Sequence, residues 1–138
     1  MPPLDSICDT ILQHFPDTSG VYLYGSHATG QAREDSDIDI GILLPHPQYK
    51  TIGSLRNSPL RHALENLTNT TVDLVNLRAE ASTILQKEVI AAEKLIGCYH
   101  PTDCQEFEMY VLSDYQRLNE ERAGILAAIQ ENGIIHAQ

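Results

Sequence analysis

The sequence has no tryptophan, two phenylalanines and three cysteines, and it contains no long apolar run. A membrane helix needs about 20 consecutive apolar residues, so none is expected. Cys8, Cys98 and Cys104 form no CxxC pair, and the histidines at 14, 27, 46, 62, 100 and 136 are scattered. A structural zinc centre draws its ligands from closely spaced Cys and His, so it is not expected either. Reduced thiols and a cytoplasmic location follow as expectations. Positive charge is scarce: nine Lys and Arg face nineteen Asp and Glu, for a formal charge of −10. That balance argues against direct nucleic-acid binding, which depends on neutralising many phosphates. It does not exclude a nucleotide, because a bound divalent cation reverses the local sign of an acidic site. The opening MPPLDSICDT lacks a basic n-region, and no signal peptide is expected.

At 138 residues and 42% hydrophobic, the chain suits one core-forming domain. Leu4, Ile7, Cys8, Ile11, Leu12 and Phe15 recur at helical spacing until Pro16. Val21–Tyr24 is short, β-branched and aromatic, and predicts a strand that Gly25-Ser26 ends. His27–Asp35 suits a short helix and a loop. Asp37–Leu44 predicts the clearest strand, with Ile38, Ile40, Ile42 and Leu44 on one face and Asp37 and Asp39 opening the other. A loop is expected to about Asn57, then a helix capped by Ser58 with Pro59 at its first position. Thr71–Leu77 predicts a strand carrying Asp73, and Glu80 to about Ala92 predicts a helix. Lys94–Tyr99 fits either an extension of that helix or a short edge strand, with the strand favoured. Pro101-Thr-Asp marks a break before a last helix from about Cys104 to Glu131. The stripe of that helix is Phe107, Val111, Tyr115, Leu118, Ile125 and Ile129. Residues 101–138 hold seven acids and two bases, half of the whole net charge. The order predicts an α/β (α+β) domain, a small mixed sheet flanked by helices with a long C-terminal helix.

Asp37 and Asp39 are i, i+2 on one strand face, with Cα atoms roughly 6.5–7 Å apart. Two such carboxylates repel, and burial makes charging both costly unless a cation bridges them. Mg²⁺ takes oxygen ligands, commonly one or two carboxylates plus substrate phosphates. Asp73 adds a third carboxylate if its strand is a neighbour, and three can hold two ions for displacement at phosphorus. Upstream, Gly25 permits close backbone approach and Ser26 adds a hydroxyl, a pairing suited to an anion.

The joint pattern, Gly25-Ser26, ten residues, Asp37-Ile38-Asp39 and a later Asp73, resembles the DNA polymerase β-like nucleotidyltransferase superfamily. The block from Tyr24 to Ile40 is most similar to its minimal nucleotidyltransferase (MNT) branch. There Val72-Asp-Leu-Val-Asn-Leu-Arg resembles the third-carboxylate strand, and Met109–Leu126 resembles the tail of MntA-type antitoxins that pair with HEPN toxins. The resemblance implies a nucleotidyltransferase fold, with residues 1–100 as the nucleotidyltransferase domain and 101–138 as a helical, partner-binding extension. It implies Asp37, Asp39 and Asp73 as catalytic metal ligands, with Asp73 helping to deprotonate the attacking hydroxyl. Gly25 and Ser26 would contact the triphosphate, with Ser36 nearby and Arg33 as a further phosphate contact. The implied reaction moves AMP from ATP, with Mg²⁺ as a pair of ions, to a tyrosine of a cognate HEPN ribonuclease toxin. Two other readings are a non-catalytic antitoxin that occludes its toxin and a nucleotidyltransferase acting on a small molecule.

Overall fold

A computed structural model of the chain describes residues 3–33 and 36–132, with side chains described through residue 130. Glu34, Asp35 and residues 133–138, parts of the predicted loop and C-terminal extension, lie outside the described residues. The elements run α1 (Leu4–His14), β1 (Gly20–Tyr24), α2 (Ser26–Thr29), β2 (Ile38–Leu43), α3 (Gln48–Ile52), α4 (Pro59–Thr68), β3 (Val72–Asn76), α5 (Thr83–Ala91), β4 (Leu95–Cys98) and α6 (Pro101–Asn132). The strands form one sheet in the order β3-β2-β1-β4. β1 lies antiparallel to both β2 and β4, whereas β2 and β3 are parallel.

Helices cover both faces. On one, Ile7 and Ile11 of α1 and Leu60 and Leu64 of α4 pack on Val21, Leu23, Ile38, Ile40, Ile42, Val72 and Leu74. On the other, Tyr22, Tyr24, Leu43, Val75 and Leu77 lie under Val89 of α5 and Cys104, Phe107 and Val111 of α6. Each fully buried Leu or Ile contributes about 1.5–3 kcal/mol relative to exposure, so the two-sided sheet is the main source of stability. The strand alternation divides these sets, because successive residues point to opposite faces.

Most predicted elements form within a residue or two of their expected bounds. The Ser58 hydroxyl accepts from the Arg61 N–H, with Pro59 opening α4 as expected. Residues 94–99 resolve in favour of the strand. Three expectations change. The predicted loop before Asn57 contains α3, a five-residue helix without an apolar stripe long enough to announce it. Helix α5 starts at Thr83 instead of Glu80, because the Ser82 hydroxyl accepts the Leu85 N–H and caps it there. Pro101 opens α6 instead of breaking the chain before it; proline is favoured in a first helical turn, where its missing N–H costs nothing.

Helix α6 is fastened at its start. Arg78 Nη1 and Nη2 donate to the two Asp103 carboxylate oxygens at 2.9 and 2.6 Å, and Nη1 also reaches Leu44 O at 2.6 Å. The Ser19 hydroxyl donates to the same carboxylate at 2.5 Å. These bonds hold the Asp103 carboxyl below the usual carboxylate range, the Arg78 hydrogen bonds contributing most. Further along, α6 leaves the body: Ile125 and Leu126 are 61% and 56% exposed, whereas Cys104, Phe107 and Val111 in its first turns are buried. Among the described residues no helix is long and apolar enough to cross a membrane.

Candidate active site

Sheet register assembles the site. Tyr24 of β1 pairs with Asp39 of β2, and Asp39 pairs with Asp73 of β3. Paired residues share a face, so Tyr24, Asp39 and Asp73 form one transverse row across three strands. Asp37 precedes β2 and is exposed, Asp39 is half-buried, and Asp73 is exposed. All three aspartates line one cavity of about 380 Å³ together with Arg56, Arg61, Thr71, Val72 and Leu74.

The electrostatics follow from that proximity. Burial raises the Asp39 carboxyl above its ordinary range, the Asp73 and Asp37 charges raise it further, and His27 partly offsets them. Burial also raises the Tyr24 hydroxyl, and Asp73 and Asp39 then add to the shift. Tyr24 therefore remains a neutral phenol at the floor of the row throughout the physiological range.

Gly25 is required by two independent constraints. Its φ of 70° and ψ of −155° belong to a region that side chains disfavour. A Cβ at this position would also run into Asp39 Oδ2. The bend that ends β1 thus passes directly against the half-buried carboxylate. Ser26 opens the four-residue α2, whose Ala28 and Thr29 N–H groups turn back to Gly25 O at 3.1 and 3.3 Å. His27 Nε2 lies 3.1 Å from Ser36 O, which ties this turn to the approach to Asp37. Ser36 Oγ accepts the Arg33 N–H at 2.8 Å. Ser36 is therefore linked to the site through the backbone, while exposed Arg33 stands outside the carboxylate cavity.

Two further groups position Asp73. Arg61 Nε donates to Val72 O at 3.0 Å, and Glu65 Oε2 accepts the Val72 N–H at 3.0 Å. A side-chain pair from α4 thereby clasps edge strand β3 one residue before Asp73. At its other end, Glu80 Oε2 accepts the Asn76 N–H at 2.8 Å and the Leu55 N–H at 3.3 Å. No local sequence pattern announces these bonds, because each joins a side chain to a backbone group that it meets only once the elements have packed.

The donor set suits a hard cation: carboxylate oxygens of Asp37, Asp39 and Asp73, with mutual repulsion already evident at Asp39. Among the described residues no three His, Cys, Asp or Glu side chains converge into a metal cage by themselves. Mg²⁺ sites of this kind draw part of their shell from substrate phosphates, so an open protein half-site fits a nucleotide-dependent ion.

A strand–glycine-serine–strand unit carrying such a carboxylate row defines a nucleotidyl-transfer fold. The Polymerase beta, Nucleotidyltransferase family model matches residues 7–102, and the chain belongs to that family. Among its relatives is the protein adenylyltransferase MntA of Shewanella oneidensis, 28% identical over 128 residues, spanning 93% of this chain and 88% of the relative. A solved toxin–antitoxin complex with AMP-PNP contains a chain 29% identical with a TM-score of 0.74, covering 94% of this chain and 99% of that one. A second structure, the tri-AMPylated S. oneidensis HEPN toxin in complex with its MNT antitoxin, matches at 28% identity and a TM-score of 0.67. That match covers 92% of this chain and 95% of that chain.

Proposed function

We propose that the chain is the antitoxin of a HEPN/MNT pair, a protein adenylyltransferase that moves AMP from ATP to a tyrosine of its cognate ribonuclease toxin. The observation that carries this reading is the Asp39–Asp73 register beside a glycine that only an unsubstituted backbone can occupy. The family match and the adenylyltransferase relative support it.

In this mechanism Gly25 and Ser26 contact the triphosphate where the bend ending β1 meets Asp39. Asp37 and Asp39 would hold Mg²⁺, with Asp73 as the third ligand and a pair of ions as the full complement. Bound there, Mg²⁺ supplies charge neutralisation on the phosphates and an acidified attacking hydroxyl. Asp73, exposed on the edge strand, receives the proton as the tyrosine oxygen attacks the α-phosphorus. Pyrophosphate leaves as the new O–P bond forms. Ser36 and Arg33 lie on the segment leading to Asp37, where Arg33 offers a cation to the outer phosphates. Consumption of ATP and three free thiols fit a cytoplasmic protein.

The division into a nucleotidyltransferase domain, 1–100, and a partner-binding extension, 101–138, belongs to the same proposal. The first turns of α6 complete the core of the former through Cys104, Phe107 and Val111, so the binding surface is the opposite, exposed face of α6 and its distal turns. Exposed apolar residues along α6, Met109, Tyr110, Leu112, Ile125 and Leu126, favour a second reading in which docking alone neutralises the toxin. One experiment separates the two. Asp39→Asn should cut transfer of labelled AMP to the toxin by at least about 1,000-fold, on the scale of lost electrostatic stabilisation. Growth should then fail in cells expressing the toxin with this variant. Undiminished labelling overturns the catalytic reading, and growth rescue without labelling establishes docking.

A further inference from the structure

The strand order gives the carboxylate row two unlike sides. Gly25 ends β1 on one side of β2, and edge strand β3 lies on the other. Arg56 borders the cavity from the connection before α4, alongside β3. A triphosphate held at Gly25-Ser26 therefore leaves the Arg56 side for the acceptor, which arrives over Asp73.

The backbone around Arg56 is pinned. Glu80 takes the Leu55 N–H at 3.3 Å, the Ser58 hydroxyl donates to Leu55 O at 2.8 Å, and Arg61 Nη1 donates to Arg56 O at 2.9 Å. The Arg56 guanidinium, by contrast, has no ion-pair or hydrogen-bond partner among the described residues. A fixed anchor carrying an unpaired cation beside three acids is a site for an anion brought in by the acceptor.

We propose that Arg56 is a specificity residue for an acceptor that already carries one AMP. An unmodified tyrosine is neutral. After one transfer it carries a phosphodiester with a single negative charge, which the planar guanidinium fork matches with two parallel hydrogen bonds. That contact holds the ribose of the first AMP over Asp73. A hydroxyl oxygen of this ribose attacks the α-phosphorus of a second ATP, and its proton passes to the Asp73 carboxylate. One O–P bond forms, the α–β phosphoanhydride bond breaks, and pyrophosphate leaves. Arg56 thus favours extension of a modified acceptor over a first transfer. The tri-AMPylated toxin of the solved relative bears more than one AMP. This inference rests on the adenylyltransferase reading.

The test uses the full chain with its cognate HEPN toxin and ATP, with intact mass spectrometry resolving toxin bearing one, two and three AMP units over time. With Arg56→Ala, the ratio of the second-addition rate to the first should fall about tenfold, the scale of one charge-assisted contact. Arg56→Lys should recover part of that ratio, because it restores charge without the fork. An equal loss of all additions, an unchanged product ladder, AMP units found on separate side chains, or a wild-type chain that stops after one AMP overturns the inference. A wild-type chain that transfers no AMP overturns the underlying adenylyltransferase reading instead.

Discussion

Two buried-edge carboxylates, Asp39 and Asp103, stand in opposite electrostatic conditions. Asp103 meets Arg78 and Ser19, and its carboxyl is held below the usual range. Asp39 meets burial and two further carboxylates, which raise it, with only His27 opposing them. One acid fastens α6 to the sheet and is satisfied within the chain. The other is left in tension, as a group is when its proper partner comes from outside. The acid that fastens the fold and the acid proposed for chemistry thus differ in the sign of their shift and in their neighbours.

The largest effect should come from breaking the satisfied side. Arg78→Ala removes the partner of a largely buried carboxylate and should cost about 2–3 kcal/mol in urea unfolding. Loss of near-native spacing at the start of α6 should follow, read as faster amide exchange in residues 101–111 than in α1.

Acid sharpens the comparison further. Because Asp103 is shifted down, its stabilisation is complete above the unfolded carboxylate value near 3.9 and is lost as pH falls through its lower folded value. Asp39 is shifted up, so its penalty is complete above its folded value and fades as pH falls toward 3.9. The stability deficit of Asp103→Asn relative to the unsubstituted chain should therefore shrink only below about pH 4. For Asp39→Asn the difference should already narrow on the way down to that pH. Thermal melts from pH 7 to pH 3 read both.

The smallest expected effect is the most diagnostic. At pH 7 Asp39→Asn should raise Tm by about 2–3 °C, on the scale of relieving roughly 0.5–1 kcal/mol of repulsion. A variant that gains stability while losing transfer would mark Asp39 as held for chemistry. A fall in Tm would remove the contrast with Asp103.

Much of this site was legible because its parts obey strict local periods. The alternation of Ile38, Ile40 and Ile42 places Asp39 on the opposite face, and Val72, Leu74 and Asn76 do the same for Asp73. The glycine-serine bend was legible for its chemistry, although the clash that fixes Gly25 becomes visible only when Asp39 is placed beside it. What escaped were contacts across the chain: Arg61 and Glu65 on Val72, Glu80 on Leu55 and Asn76, and Arg78 on Asp103. A carboxylate or guanidinium reaches a backbone group only after the elements have packed, and nothing in its neighbouring residues records the destination. Helix α3 escaped for a different reason, since five residues are too few to show a period.

The row Tyr24–Asp39–Asp73 spans one antiparallel and one parallel pairing. Its alignment depends on counting within strands, not on the length of the connections between them. Connections can therefore lengthen or shorten over a lineage while the chemistry stays in place. A single residue inserted immediately before Ile38 would move that isoleucine into the position of Asp39 and turn the carboxylate toward the apolar side. Tolerance to insertion should thus drop abruptly at Ile38 and return after Leu43.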